Sequence, residues 1–141
     1  MNTKDKGNLS EMMALAAFTA QGHQVSVPIG ENARYDLIAD LHGILSRVQV
    51  KTGRLKKDGS VLRFNTRSAY RCANGTIVHA DYTGSVDHFA VYCHELATVY
   101  LISIKDMVTV SVGSLRIKAT KNNQKSGTLE ASDYVLYQFG V

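Results

Sequence analysis

The chain has 141 residues, 45% of them hydrophobic, one proline, a formal net charge of +4 and a pI of about 9.1. That length fits one domain with its own core. No apolar run reaches the roughly 18 residues of a membrane span, and Met1-Asn2-Thr3-Lys4-Asp5-Lys6-Gly7 lacks the apolar centre of a signal peptide. Cys72 and Cys93 have no framework spacing, which fits a reducing cytoplasm and, without Cys-x-x-Cys or paired histidines, argues against zinc.

The first predicted element is a helix over Asn8–Gln21, stopped by Gly22 and nearly all apolar from Met12 to Ala20. Such a helix should be buried on most sides, so Glu11 at its start needs a reason. Asn8-x-x-Glu11 has the form of a capping box, which would be reason enough.

Next comes a β-hairpin. Arg34 to Asp40 and Arg47 to Thr52 alternate apolar and polar residues, with His42-Gly43 between them as a two-residue turn. That turn pairs Leu41 with Ile44 and Leu37 with Val48, and its continuation puts Asp36 opposite Gln49 and Tyr35 opposite Val50. Lys51 follows two residues along on the Gln49 face. A carboxylate, a carboxamide and an ammonium on one face suit a divalent metal beside a phosphate, because Mg²⁺ takes oxygen ligands and a nearby lysine can orient water. The same residues also fit an ordinary hairpin with a polar outer face.

Arg47, Lys51, Arg54, Lys56, Lys57, Arg63, Arg67 and Arg71 follow in close succession. Clusters of this kind neutralise phosphates and release counterions, so they are candidate DNA contacts. A strand is predicted over Val61–Asn65 after the turn Lys57-Asp58-Gly59. Residues 74–86 read as polar loop. His88–Cys93 and Thr98–Ile102 read as buried strands, with Asp87 anchoring the start of the first. Ser85-x-Asp87-His88 holds the residue types of a hydrolytic triad, but sequence neighbours rarely achieve triad geometry. Tyr70 and Tyr82 flank loops where they can touch DNA; the other tyrosines read as packing.

A second hairpin is predicted with arms Val108–Val112 and Leu115–Thr120 and Gly113-Ser114 at its turn. Arg116, Lys118 and Thr120 would share one face, near Lys121 and Lys125. A cationic β-ribbon fits a major groove; a lysine-blunted edge strand has the same pattern. Residues 122–127 read as loop, and Glu130–Phe139 fits either helix or strand. The order of elements is that of an α/β or mixed α+β domain around one sheet, spanning 1–141.

An aspartate, a dozen residues, then Gln49-Val50-Lys51 resembles the core of the PD-(D/E)XK nucleases, and more closely the intron-encoded homing endonucleases of that class, of cyanobacterial type. The resemblance runs from Asn8–Gln21 through Tyr35-Asp36-Leu37, Val48 to Gly53 and Asp87 to Tyr92, to Val99-Tyr100-Leu101-Ile102. It implies a restriction-endonuclease-like fold, a central mixed sheet flanked by helices. It also implies a Mg²⁺- or Mn²⁺-dependent endodeoxyribonuclease acting on double-stranded DNA. Asp36, the Val50 carbonyl and Glu11 would serve the metal, and Glu11, Asp36, Gln49 and Lys51 would form the catalytic set. Gln49 stands where most members have an acid, so the metal site loses one negative charge. A Holliday junction resolvase shares the core motif, and a catalytically decayed DNA-binding module fits the Gln49 departure. A double-strand cut implies at least a symmetric dimer, and a long target implies a tetramer, with assembly surfaces expected in the C-terminal third.

Overall fold

The computed structural model describes residues 1–82, 84–107, 112–118 and 129–140, with 68–71 and 77–81 described by backbone alone. It opens with α1 (Thr3–Ala20). The strands follow as β1 (Val25–Ser26), β2 (Leu37–Leu41), β3 (Ile44–Thr52), β4 (Arg54–Leu55), β5 (Val61–Asn65), β6 (Arg67–Arg71) and β7 (Ile77–Asp81). The chain continues through β8 (His88–Cys93), β9 (Thr98–Ser103), β10 (Val112–Arg116), β11 (Leu129–Glu130) and β12 (Val135–Gln138).

A six-stranded sheet runs β1-β2-β3-β8-β9-β12. It is mixed: β3 and β8 are parallel, and every other neighbouring pair is antiparallel. One face is covered by α1, where Ala14, Ala17 and Phe18 meet Leu37, Ala39, Val48, Val50 and Val99. The other is covered by a four-stranded sheet, β11-β10-β5-β4, whose Leu62, Phe64 and Leu115 pack on Phe89, Val91 and Ile102. A sheet therefore takes the place on this face where a flanking helix was expected; α1 is the α-helix among the described residues. The buried runs at β8 and β9 follow from this, since both strands are covered on both sides.

The first hairpin has the predicted register, from Leu37 opposite Val48 to Leu41 opposite Ile44. His42 and Gly43 both have positive φ, 56° and 90°, as a type I′ turn requires. The Asp40 carboxylate accepts the Gly43 N–H at 2.7 Å and holds the turn closed.

Four expectations change. α1 begins at Thr3, capped by the Asn2 side chain, which accepts the Asp5 N–H at 2.9 Å. Asn8 therefore lies inside the helix and the Asn8–Glu11 capping box does not form. The helix is buried along one face, Ser10, Ala14, Ala17 and Phe18, while Met12 is 58% exposed. Residues 77–81 form β7 rather than loop, paired with β6 across a turn in which the Asn74 side chain accepts the Thr76 N–H. The second hairpin is not formed at Gly113-Ser114: both residues lie within β10, antiparallel to β5. A Cβ on Gly113 would run into the Phe64 ring, so this glycine serves a close approach and not a turn. Residues 108–111, Thr120, Lys121, Lys125 and the 122–127 loop lie outside the described residues. The end resolves as a short 3₁₀ turn, Ala131–Asp133, and then β12 on β9.

Candidate active site

The β2–β3 ladder stops one residue before Asp36. A continued register would set Asp36 opposite Gln49. Instead, the Asp36 N–H donates to the Val48 carbonyl at 2.8 Å. Its carboxylate accepts the Val50 N–H at 2.7 Å. Tyr35, expected against Val50, packs into the opposite core around Phe89. In an extended strand a residue's N–H and C=O point to the same edge. The Val50 carbonyl therefore opens on the edge where Asp36 sits, past the end of β2.

Side-chain alternation along β3 sends Val48 and Val50 to the α1 core and Gln49 and Lys51 to the other face. Lys51 Nζ donates to the Tyr82 hydroxyl at 3.1 Å. Glu11 comes from the middle of α1. Burial raises its pKa above the usual carboxylate range, and the charge of Asp36 raises it further. Burial also raises that of Asp36, opposed by the Val50 hydrogen bond and by the Lys51 ammonium. The two acids thus share one electrostatic environment, and Lys51 shares it with Asp36.

Burial disfavours the ionised form of both carboxylates, a penalty that a bound cation relieves. Asp36, Glu11 and the Val50 carbonyl offer oxygen donors alone, the type that suits Mg²⁺ or Mn²⁺, while the Gln49 side chain leaves β3 on the opposite face from Val50. Among the described residues no group of three or more His, Cys, Asp or Glu is placed to hold a metal ion.

The remaining candidates separate. Asp87 anchors β8 as expected: its carboxylate accepts the Arg47 N–H at 2.8 Å and Nε at 3.1 Å, and its own N–H donates to the Arg47 carbonyl. The Arg47 hydrogen bond, foremost, lowers the Asp87 pKa. Arg47 also donates to the Gly84 carbonyl at 2.9 Å, so its guanidinium is committed to the protein. Arg116 is 6% exposed and pairs with Glu130 at 3.3 Å, so it faces inward and not toward a ligand. Arg54, Lys56, Lys57, Arg63, Arg67 and Lys118 are exposed. The side chain of Arg71 lies outside what is described. Cys93 is a buried free thiol, its pKa pushed up to about 11 by burial.

Sequence reading left Tyr82 between packing and DNA contact; the residue is 5% exposed and sits against Lys51, a pairing that reading did not foresee. It also missed a polar contact beside the site, Ser10 Oγ with Thr52 Oγ1 at 2.7 Å. No pattern in the chain signals either pairing, because each partner is distant in sequence.

The PD-(D/E)XK endonuclease profile matches residues 1–137. The chain belongs to the PD-(D/E)XK endonuclease family. Divalent-metal dependence is a general property of that family. The chain is also similar to the solved structure of a bacterial homing endonuclease, I-Ssp6803I. The identity is 25% and the TM-score 0.74, over 96% of this chain and 89% of that one. No curated protein matches the chain. As a PD-(D/E)XK endonuclease the chain has its mixed sheet and α1 accounted for. No helix among the described residues is long and apolar enough to cross a membrane.

Proposed function

We propose that this endonuclease is a homing-type enzyme that uses Mg²⁺ or Mn²⁺ to hydrolyse both strands of duplex DNA at a long specific site, with Asp36, Gln49, Lys51 and Glu11 as its catalytic set. The observation that carries this reading is the Asp36 carboxylate fixed on the Val50 N–H at 2.7 Å, past the end of β2 on the strand that carries Lys51. Asp36 and the Val50 carbonyl would hold the ion, with Glu11 assisting. When bound, the ion supplies Lewis acidity at the scissile phosphate. Lys51 Nζ orients the attacking water and stabilises the negative charge that builds on the pentacovalent phosphorus. A carboxylate, Glu11 or Asp36, would accept the water's proton as its oxygen bonds phosphorus, and the bond to one bridging oxygen of the phosphodiester breaks.

The exposed cations support a duplex as substrate. Arg54 and Arg63 are direct cross-strand partners in β4–β5. Like charges directly opposed destabilise a sheet, and a polyanion laid across them reverses that cost. Arg54 follows Lys51 by three residues, so this surface adjoins the site.

The test is incubation with total genomic duplex DNA and Mg²⁺, followed by mapping of the cut ends, beside a four-way junction of the same length. Discrete double-strand ends support the homing reading. Preference for the junction indicates a resolvase, and binding without cleavage a decayed module.

A further inference from the structure

Lys51 is not free to choose its position. Its Nζ donates to the Tyr82 hydroxyl at 3.1 Å and lies 4.7 Å from the centre of the same ring. The Tyr82 ring is itself fixed: it is 5% exposed and meets Phe89 edge to face at 5.7 Å. Its carbonyl accepts the Ser85 and Val86 N–H groups at 2.9 and 3.1 Å. The turn that follows is tied back to β3 through Arg47, which donates to the Gly84 carbonyl and clamps Asp87. A second cation, Arg34, stands 4.5 Å over the same ring.

We propose that Tyr82 is a positioning residue for Lys51: its buried phenol oxygen and ring face hold the ammonium at the catalytic edge of β3. A lysine stem carries large rotamer entropy, and a lysine left to rotate spends little time at a reacting phosphate. The phenol removes that freedom before DNA arrives. Arg34 stands against the same ring, so the ring gathers two cations. This assignment rests on the reading of Lys51 as catalytic.

The test compares wild type, Tyr82→Phe, Lys51→Ala and the double variant. Genomic duplex DNA and Mg²⁺ give single-turnover cleavage at the mapped ends, and Ca²⁺ gives duplex affinity without cleavage. Tyr82→Phe keeps the ring and removes only the hydroxyl. Its cleavage rate should fall roughly ten- to a hundredfold, the range of a lost hydrogen bond to a charged group. Its Kd for DNA and its Tm should stay at wild-type values. The double variant should be no slower than Lys51→Ala. An unchanged Tyr82→Phe rate beside an inactive Lys51→Ala overturns the positioning role and leaves the site reading intact. A rate loss matched by equal losses of affinity and Tm overturns it as well, since the hydroxyl is then structural. If Lys51→Ala cuts at the wild-type rate, the site reading fails, and the positioning role fails with it.

Discussion

The Asp36 carboxylate takes the Val50 N–H, at 2.7 Å, that a longer β2 would have bonded through its backbone. A side chain thus closes the ladder in place of a carbonyl. The cost is a carboxylate half-withdrawn from water, and burial raises its pKa accordingly. The consequence is an acid fixed against the strand that carries Lys51, with the Val50 carbonyl opening beside it.

Asp36→Ala and Lys51→Ala should each lower cleavage by at least about a hundredfold, the usual scale for a group acting directly on a transferring phosphate. Neither should unfold the protein, because the core faces of β3 are Val48 and Val50. Asp36→Ala should also bind duplex DNA more tightly without metal, having lost a carboxylate that faces phosphate. Gel-based cleavage and metal-free binding titrations check both. Near wild-type cutting by either variant removes that residue from the site.

Glu11→Gln separates catalysis from stability. Asn2 caps α1, so Glu11 has no capping role to lose. Its folded pKa is raised, first by burial and then by Asp36. A carboxylate raised in the fold binds more protons folded than unfolded, so stability falls as pH climbs from the ordinary carboxylate value through the raised one. The metal-free Glu11→Gln protein should therefore melt higher than wild type near pH 7, with the advantage fading toward about pH 4. Its cleavage should drop. A lower melting temperature with full activity would restore a purely structural role.

Divalent cations should reverse the same penalty. Ca²⁺ or Mg²⁺ binding to the folded state raises its stability by mass action. Thermal melts should rise with added metal in wild type and stay flat in Asp36→Ala. An equal rise in both places the ion elsewhere.

Gln49→Glu should keep measurable activity and lower the metal concentration required, because it restores a negative charge to a site that lacks one. Gln49→Thr keeps a strand-compatible side chain and loses the amide oxygen. Full activity in Gln49→Thr would strike Gln49 from the set.

The hairpin was legible because its information is local: a two-residue turn with alternating arms fixes register without help from the rest of the chain. The candidate set Asp36, Gln49 and Lys51 rests on equally local signs, but the register that would pair Asp36 with Gln49 stops at Leu37. Where the sequence misled, tertiary packing had overridden a local sign. Gly113 reads as a turn residue, yet it is there because the Phe64 ring leaves no room for a Cβ. Arg116 reads as part of a cationic face, yet it is buried against Glu130. Asn8 reads as a cap, yet Asn2 starts the helix earlier. The Lys51–Tyr82 contact joins residues 31 apart and has no local signature at all.

The last prediction concerns assembly. One site of this size cuts one strand, and the two strands of a duplex are related by a local two-fold axis, so a double-strand cut needs at least a symmetric dimer. A 15.4-kDa subunit covers too little DNA to specify a rare site, which favours a dimer of dimers. Apolar surface for such contacts was expected in the C-terminal third. Among the described residues it concentrates instead near the first hairpin: Val27, Ile29, Ile44 and Leu45 are 59%, 105%, 74% and 67% exposed. In the C-terminal third only Val112 and Val135 among the described large hydrophobics are comparably open, at 42% and 48%. Ile44 and Leu45 cap the strand that carries the site, so pairing through them would hold two sites in fixed relation. Light scattering at low micromolar concentration should give a dimeric or larger mass for wild type. Ile44→Asp with Leu45→Asp should lower that mass and convert double-strand cuts to nicks while leaving α1 and the core intact. A monomeric mass for wild type, unchanged on adding target duplex, would sink both the assembly and the claim that this enzyme cuts both strands.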